Sequence, residues 1–319
     1  MNRFEASLGH VINLDFDTHE SMIDAALHWS LEEYQLDSGR FKGTINAVHT
    51  LNIQIASTFR SSGVFVKGNI PKNTYLFASA ESKGKITHNG LSINENELIV
   101  LNENDQLDFT SSSAVNDVTI AIDKDFFDDA FKNYFNKHFQ YDTINKRIQL
   151  KEDAGSTFRA SVQDLVGDLM KQNTKLQSDS VFCTKTEQEI LQIIFDNIDH
   201  SRQHKSKSES EINAEKIRKY IEKNYMSDIY INNLCNNKKI SERTLRLAFK
   251  KLFGMSPKQY HKSYRLGKIH HTFLQNSNTI ETVENIAYAH GFTHMGHFAK
   301  SYKSMFGYTP SHTLKKLSP

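Results

Sequence analysis

Apolar side chains recur with different spacings along this chain, and the changes of spacing divide it into regions. Up to about residue 38, apolar positions lie three to four residues apart, at Met22, Ala25, Ala26, Trp29 and Tyr34. That is the spacing of one face of an α-helix. We therefore predict a helical arm in this first region.

Between residues 40 and 122 the apolar and polar positions alternate, as Ile53 and Ile55 illustrate. Alternation is the pattern of half-buried β-strands. Asn89-Gly90 separates two short strand-like stretches, and this dipeptide favours a two-residue hairpin turn. The pattern predicts an antiparallel sheet or a small barrel. Further apolar runs that predict buried strands lie at 98–101 and 118–122.

From about residue 125 to 200 the helical spacing returns. Phe127, Phe131 and Phe135 form an aromatic stripe, and the ranges 158–172 and 186–200 are amphipathic. The last helix carries an apolar stripe that is typical of a core helix but also fits a dimer seam. Its members are Ile190, Leu191, Ile194, Phe195 and Ile198.

A polar stretch at residues 201–210 contains no large apolar side chain and no periodicity, and it is predicted to be a linker. It separates a domain over 1–200, β-rich at 40–122 and helical at 125–200, from a helical domain over 211–319. The predicted fold class is α+β, with a β-rich N-terminal domain flanked by helices and an all-α C-terminal domain.

Charge is distributed very unevenly between these two parts. Residues 211–319 contain 18 Lys and Arg against 7 Asp and Glu, a net charge of +11, whereas residues 1–210 contain 21 against 30, a net charge of −9. A domain this basic is suited to a polyanionic partner such as nucleic acid. A basic surface that serves solubility alone is the alternative.

An internal repeat occupies the basic region. The segment 245–257 is repeated at 298–310 with a constant offset of 53 residues. Aromatic residues, a lysine, a glycine, a hydroxyl residue and a proline coincide between the copies. Repeated segments of this kind indicate a duplicated structural unit. The coinciding pairs are 249/302, 253/306, 250/303, 254/307, 256/309 and 257/310.

Each copy has the features of a helix-turn-helix. A short helix with small residues precedes a tight turn, which in the second copy is Gly291-Phe292. Ser241 in the first copy and Thr293 in the second are predicted to cap the next helix. Gly254 and Gly307 follow those helices and are predicted to end them. In such units the second helix enters the major groove.

These residues resemble the AraC/XylS family of bacterial transcription regulators over roughly 211–317. The family's first signature is matched by Ser241, Arg243, Leu245, Phe249, Lys250, Gly254, Ser256, Pro257, Tyr260, Arg265 and Leu266. Its second signature is matched by Ile286, Ala287, Gly291, Phe292, Phe298, Lys303, Phe306, Gly307, Thr309 and Pro310, with Tyr302 as a conservative departure.

The resemblance implies two helix-turn-helix units joined by a long helix over about 257–275. It implies double-stranded DNA and RNA polymerase as partners, an activator role and a possible homodimer. The N-terminal half, through Trp29, the run 39–43 and the strands as far as Phe77, is weakly similar to the ethanolamine-operon regulator and its relatives. That likeness implies a small-molecule effector of unknown identity and carries over no ligand-binding residue.

Candidate DNA contacts lie on the outward faces of the two recognition helices. By resemblance, Arg243, Arg246 and Leu247 contact bases, and arginine can bond guanine with two hydrogen bonds. Leu247 stands where many relatives have arginine, so it touches a thymine methyl or only packs. An intradomain salt bridge is the alternative for Arg243. Base-contact candidates on the second helix are Met295, Gly296, His297 and Lys300, and phosphate-contact candidates are Lys250, Lys251 and Lys303.

Gly296 is unusual because glycine costs about 1 kcal/mol relative to alanine inside a helix. It either lets the DNA approach the backbone closely or indicates that the second unit reads sequence weakly. His290, His294 and His297 have a spacing that zinc sites use, but no cysteine or carboxylate is near them in sequence. We therefore expect polar contacts or simple exposure there, and no metal.

The acidic N-terminal domain is predicted to sense an effector and to contribute to dimerisation. Inward aromatic residues such as Phe65, Tyr75, Phe77 and Phe109 are candidates for the lining of a ligand cavity, with ordinary core packing as the favoured alternative. An alternative to the effector-sensing regulator is an architectural DNA binder that needs no effector, but that function would leave an N-terminal domain of this size without a role.

Enzyme chemistry is not indicated. The chain has no Gly-rich phosphate loop, H-E-x-x-H, G-x-S-x-G or Cys-x-x-Cys. We expect no catalytic residue and no cofactor beyond the effector. Two cysteines, Cys183 and Cys235, are predicted to be free buried thiols. With no apolar run long enough to span a membrane and no secretory signal, we expect no membrane partner and a cytoplasmic location.

Overall fold

The computed structural model describes residues 8–26, 28–199, 208–231, 234–235, 241–275 and 281–316. Its N-terminal part contains two antiparallel sheets with helices, and its C-terminal part is helical, as the predicted α+β class requires. The strands are β1 Val11–Phe16, β2 Ser30–Gln35, β3 Gly43–His49, β4 Ile53–Arg60, β5 Val64–Asn69, β6 Thr74–Ser82, β7 Ile86–His88, β8 Leu91–Ser92, β9 Glu97–Asn102, β10 Gln106–Ser111, β11 Val115–Asp123 and β12 Arg147–Gln149.

The helices are numbered in chain order over the residues described. In the N-terminal part they are α1 His19–Asp24, α2 Lys124–Phe135, α3 Ala154–Lys171, α4 Asn173–Ser178 and α5 Ser180–Asn197. In the C-terminal part they are α6 Glu209–Lys223, α7 Glu242–Phe253, α8 Pro257–Gln275, α9 Val283–Ala289, α10 Met295–Phe306 and α11 Pro310–Lys316.

The two sheets pack face to face. One has seven strands in the order β1-β3-β4-β11-β6-β9-β12, and the other has five in the order β2-β5-β10-β7-β8. Successive side chains of a strand point to opposite faces. In β6, Leu76 and Ala78 therefore lie between the sheets, whereas Tyr75 and Phe77 pack against the helices on the other side. The alternation seen in the sequence thus reflects a three-layer arrangement.

The hairpin predicted at Asn89-Gly90 is confirmed. His88 pairs with Leu91, and both turn residues have positive φ, 49° at Asn89 and 67° at Gly90. Two central residues with positive φ define the turn that matches the twist of a hairpin. A local signal was sufficient here because the turn needs no distant partner.

Helices α2, α3 and α5 cover the outer face of the seven-stranded sheet. The helical periodicity between 125 and 200 is therefore confirmed, although the short strand β12 interrupts it. The apolar stripe of α5 is buried in the core of its own domain, so its interpretation as a dimer seam is wrong. The buried members are Ile190, Leu191, Ile194, Phe195 and Ile198.

The predicted helical arm over the first 38 residues is wrong. Of the residues described in this region, 8–26 and 28–38, those of α1 are helical, and this six-residue helix lies between β1 and β2. Strand β1 pairs with β3, where Val11 faces Val48, and β2 pairs with β5, where Glu33 faces Val66. These partners lie more than 30 residues away, so pairing across the fold overrides the local spacing.

Most of the predicted linker, residues 201–207, lies outside the described residues. The chain is next described at Ser208, whose side chain caps α6 together with Glu211 in a capping box. Helix α6 begins at Glu209 and leads into the C-terminal helices.

The C-terminal helices form two small cores that share α8. Tyr260 and Tyr264, in the first half of α8, belong to the core of the first unit, and Ile269 and Phe273, in its second half, belong to the core of the second. The long helix predicted over about 257–275 is confirmed as Pro257–Gln275.

The first C-terminal core extends into the N-terminal domain. Tyr34, Leu36 and Phe65, from the outer side of the five-stranded sheet, are buried in the same apolar cluster as Phe253 and Tyr264. The two domains are therefore packed directly on each other. None of the described helices is long and apolar enough to cross a membrane, and Cys183 and Cys235 are free and buried.

Candidate nucleic-acid interface and effector cavity

The first recognition helix is α7. The Ser241 side chain accepts a hydrogen bond from the backbone of Thr244, which confirms the predicted cap. Leu245, Phe249 and Leu252 are buried against α6 and α8, and Gly254 ends the helix with φ 68°. This packing directs the opposite face of α7 to solvent.

The second recognition helix is α10, which ends at Gly307 with φ 79°. Its start differs from the prediction. His294 is the N-cap residue and makes no side-chain cap hydrogen bond, so the cap expected at Thr293 is wrong. The 53-residue offset of the repeat places His294, and not Thr293, opposite Ser241, so α10 starts in register with α7 but after a residue whose side chain does not cap it. Gly291, in the turn before α10, has φ 80°.

The base-contact candidates on α7 are all exposed. Arg243 lies in its first turn, and Leu247 is 61% exposed, an unusual setting for leucine unless a partner covers it. Arg246 donates a hydrogen bond to Glu242 at 2.7 Å. The intradomain ion pair considered for Arg243 is thus present at Arg246, whose head group must leave Glu242 or share it to contact DNA.

On α10 the candidates differ in exposure. Gly296, His297 and Lys300 are exposed, whereas Met295 is half-buried against the second core. A Cβ placed on Gly296 would meet no atom within 4 Å. Packing within the chain therefore does not require glycine at position 296. This agrees both with a close approach of DNA to the backbone and with weak sequence reading by the second unit.

The phosphate-contact candidates are exposed lysines at the C-terminal ends of the recognition helices. Lys251 forms an ion pair with Glu211 at 2.8 Å, while Lys250 points to solvent. Lys303 lines a cleft of about 900 Å³ between the domains, whose other lining residues include Arg40 and His312. The structure thus places Lys303 beside the N-terminal domain, which sequence could not indicate.

Buried polar residues tie the two units together and were not recognised from the sequence. Arg265 donates to the carbonyls of Tyr225, Ser227 and Gly291, at 2.6 to 3.2 Å. The Tyr302 hydroxyl donates to Thr313 at 2.8 Å and contacts His270 Nδ1 at 2.5 Å. The conservative departure at Tyr302 thus provides a hydrogen-bonded core contact.

The three histidines considered for zinc do not converge. His290 Nε2 contacts the Thr272 hydroxyl at 3.0 Å within the second unit, whereas His294 and His297 are exposed, with ring centroids 6.3 Å apart. The described residues contain no cluster of three or more histidine, cysteine or acidic side chains able to hold a metal.

A cavity of about 110 Å³ lies between the two sheets. Small side chains from the seven-stranded sheet leave this space, among them Ala47, Ala56 and Ala78. Met22 of α1 and Trp29 close one side. An engineered apolar cavity of about 150 Å³ admits benzene, so a molecule the size of benzene would require the walls of this smaller space to move apart.

Arg60 and Asp117 line the cavity and belong to a polar cluster that also contains Glu33 and His19. Arg60 donates to Glu33 at 2.9 Å and to Asp117 at 2.7 Å, and His19 contacts the other oxygen of Glu33 at 2.5 Å. Burial raises the pKa of Asp117 more than Arg60 lowers it. For Glu33, the charge of Arg60 and the bond from His19 overcome the effect of burial and lower the pKa.

Of the four aromatic residues predicted to line a cavity, the structure places only Phe109 there. Phe65 faces the first C-terminal core, and Tyr75 and Phe77 pack against the helices. For these three the favoured alternative, ordinary core packing, is confirmed. The sequence could not distinguish them from Phe109, because a strand's two faces cannot be assigned to particular layers without the topology. The small residues, not the aromatic ones, were the signal for the cavity.

The exposed faces of α7 and α10 on a basic helical region are typical of a helix-turn-helix DNA-binding domain. Residues 234–316 match a family described as "Helix-turn-helix domain". The chain is 33% identical over 102 residues to the XylDLEGF operon transcriptional activator of Pseudomonas putida, covering 32% of each chain. It is 31% identical over 96 residues to the probable thc operon regulatory protein of Rhodococcus erythropolis, covering 30% of this chain and 29% of that one.

Solved structures give a related picture. A probable AraC family transcriptional regulator from Rhodopseudomonas palustris is 36% identical, covers 34% of this chain and 99% of its own, and has a TM-score of 0.32. ToxT from Vibrio cholerae is 17% identical, covers 91% of this chain and 98% of its own, and has a TM-score of 0.29.

Over about its C-terminal third, the chain is therefore similar to helix-turn-helix transcription activators. The match spans about a third of the length of the curated relatives.

Proposed function

We propose that this protein is a sequence-specific DNA-binding transcription activator whose activity depends on a small molecule bound in its N-terminal domain. The observation that carries the proposal is the pair of recognition helices, α7 and α10, with exposed outward faces on a domain of net charge +11. The similar proteins from Pseudomonas putida are named activators, which supports activation of transcription over repression.

In this proposal the two domains have separate roles. Residues 1–200 sense the effector and contribute to dimerisation, 201–210 link the domains, and 211–319 bind double-stranded DNA. The protein acts in the cytoplasm as a homodimer, and contact with RNA polymerase produces activation.

Within the DNA interface, Arg243, Arg246 and Leu247 read bases from α7, together with Met295, Gly296, His297 and Lys300 from α10. Lys250, Lys251 and Lys303 contact phosphates, which position the protein without specifying sequence. All of these side chains except Met295 are exposed, which supports their roles as DNA contacts. Met295 is half-buried, so its proposed contact with a base has the least support.

The test is a titration of the full-length protein against duplexes selected from a random library, at several salt concentrations. Arg243→Ala should lose about 1–3 kcal/mol on the selected sequence and lose discrimination at one base. Lys303→Ala should weaken binding to all sequences and reduce the salt slope by about one. Equal losses by both variants on selected and random DNA would contradict these roles.

The effector site we propose is the cavity between the sheets. Two carboxylates, Glu33 and Asp117, surround the single guanidinium of Arg60, so an added carboxylate would meet excess negative charge. The cavity walls are otherwise mainly apolar. We therefore propose a small, mostly apolar effector whose polar group is neutral or cationic.

Melting curves with a panel of small aromatic molecules bearing hydroxyl, amine or carboxylate groups test this site. A ligand that binds only the folded protein stabilises it by about 2.7 kcal/mol at a concentration of 100 times its Kd. We expect the neutral and amine-bearing members to raise the melting temperature. Ala78→Leu, which fills the cavity, should abolish the increase, and a panel in which carboxylates bind best would refute the charge argument.

A further inference from the structure

The N-terminal domain contacts both recognition helices at equivalent places. Gly254 and Gly307, which end α7 and α10, are related by the 53-residue repeat. A Cβ on Gly254 would lie 2.5 Å from the Ser112 side chain, and a Cβ on Gly307 would lie 2.5 Å from Cγ of Arg40. Ser112 and Arg40 both belong to the N-terminal domain. It therefore touches each recognition helix at the end away from the predicted base contacts.

Hydrogen bonds strengthen the contact with α10. The last carbonyls of a helix lack partners within the helix. One of them, the carbonyl of Met305, accepts hydrogen bonds from the backbone of Gly39 at 2.9 Å and from Gln35 Nε2 at 3.0 Å. Gln35 is 2% exposed, and its amide also bonds the carbonyls of Asp37 and Gly39, so the donor is held in place.

A buried ion pair holds the first unit. Arg218, on α6, is completely buried and bonds Asp108 of β10 at 2.5 Å. Its guanidinium also lies 5.1 Å from the centre of the Phe65 ring. Glu215 and Glu222 of α6 also pair with Arg218, so the bond to Asp108 joins this buried cluster of charges to β10 and holds α6, with α7 packed on it, against the five-stranded sheet.

The helix between the two units is held as well. The Ser263 hydroxyl, on α8, donates to the carbonyl of Leu36 at 2.8 Å, and Lys268 forms an ion pair with Glu32 at 3.3 Å. Strand β2 and the residues after it thus run along α8 from the first unit to the second.

From these contacts we infer that the N-terminal domain sets the relative orientation of the two recognition helices, and with it the spacing of the two DNA half-sites that the protein accepts. We call Gln35, Gly39, Arg40, Asp108 and Ser112 the interdomain brace. Gln35 and Arg40 act as positioning residues, because they hold the end of α10 and stand apart from the predicted base contacts. The inference rests on the proposed sequence-specific DNA binding.

A physical reason favours such a brace. The two units meet through α8 and the hydrogen bonds of Arg265, and domains joined by small contacts move relative to each other by default. Holding both recognition helices beforehand removes part of the ordering cost of binding, and it also rejects sites of the wrong spacing. One added base pair moves a half-site by about 3.4 Å and turns it by about 35°, so a rigid pair of helices cannot follow it.

The experiment compares full-length variants on the selected duplex and on duplexes with one, two or five base pairs inserted between the half-sites. The wild type should lose about tenfold or more in affinity for one inserted pair, similar to the cost of a mismatched base pair. Gln35→Leu, Arg40→Ala and Asp108→Asn should each reduce that penalty at least about threefold, since freed helices tolerate the insertion. Base preference within each half-site should not change.

Matched controls separate positioning from charge. Lys42→Ala removes the same charge two residues from Arg40, but Lys42 pairs with Asp17 and no contact places it at the end of α10. It should keep the wild-type spacing profile. Arg40→Lys retains the Cγ that packs on Gly307 and should behave like the wild type.

Each outcome decides something different. An unchanged spacing penalty in all three brace variants would overturn the brace while leaving sequence-specific binding intact. A wild-type protein that selects no sequence at all would refute the proposed function itself. If Arg40→Ala and Lys42→Ala changed the salt slope alike and left the spacing profile unaltered, Arg40 would be a phosphate contact and not a positioning residue.

Discussion

At the scale of single residues, buried polar groups determine how the helices of the two units meet. Arg265 is named by the family pattern, but only the structure shows that it serves three backbone carbonyls from two separate segments. Unpaired buried carbonyls cost free energy, so this one side chain allows the turn before α10 to pack on the segment after α6. Arg265 is therefore a structural residue and not a DNA contact.

Two buried histidines make stability depend on pH. Burial lowers the pKa of His270 to about 3 and that of His49 to about 4, so both are neutral in the folded protein at neutral pH. His270 therefore contacts Glu20, 3.8 Å away, without forming an ion pair. In the unfolded chain these histidines bind a proton near pH 6.5.

We expect the free energy of unfolding to decrease as the pH falls from about 6.5 towards 4. In this range the unfolded chain takes up protons that folded His270 and His49 do not, and each site contributes up to about 1.4 kcal/mol per pH unit. Urea unfolding at pH 7, 6 and 5 measures the slope. His270→Gln, which does not titrate, should give a shallower slope, and an identical slope in the variant would contradict the role of His270.

At the scale of elements, the two recognition helices are not equivalent despite the repeat. Helix α7 has a side-chain cap from Ser241, whereas α10 begins at His294 without one. Hydroxyl residues near both helix starts, Ser241 and Thr293, predicted a cap for each helix. The two helices start at equivalent positions of the repeat, but the position equivalent to Ser241 is His294, so Thr293 lies one residue too early to cap α10.

The presence of a side-chain cap on α7 and its absence on α10 can be tested with one substitution at the start of each helix. Ser241→Ala should lower the free energy of unfolding by about 1 kcal/mol, because a backbone amide of α7 loses its acceptor. Thr293→Ala should change it by less than about 0.5 kcal/mol, as expected for an exposed residue outside such a feature. Denaturant titration of both full-length variants checks the prediction. Equal losses would mean that Thr293 also acts as a cap.

At the scale of the whole molecule, the domains share an apolar core. Phe65 is 1% exposed and belongs to the five-stranded sheet, yet its neighbours are Tyr264 of α8 and Arg218 of α6. Folding of the first helix-turn-helix unit is therefore coupled to the N-terminal domain. Strand β2 also links this contact to the cavity between the sheets, since it carries Leu31 on the cavity side and Tyr34 on the side of α8.

Truncating Phe65 should therefore destabilise the C-terminal helices from a position in the other domain. Phe65→Ala should cost about 3–5 kcal/mol and increase amide hydrogen exchange in α7 and α8. Phe77→Ala removes an equally buried ring from the N-terminal core and should raise exchange mainly in α2 and the seven-stranded sheet. If Phe65→Ala left exchange in α7 and α8 unchanged, the shared core would not couple the domains.

The sequence by itself determined the features whose causes are local. The repeat, the glycines at the ends of α7 and α10, the cap at Ser241 and the length of α8 all depend on residues within a few positions of one another. The hairpin at Asn89-Gly90 is of the same kind. The family signature and the exposed candidates on α7 could therefore be found without coordinates.

Only the tertiary structure decided what depends on distant partners. Residues 11–16 and 30–35 form strands because β3 and β5 pair with them, and the aromatic residues of the sheets divide among three layers. The cavity, the buried Arg218–Asp108 pair and the contacts at both recognition helices join residues far apart in the chain. Packing across the fold sets these contacts, and a local pattern of side chains does not specify which distant face will meet it.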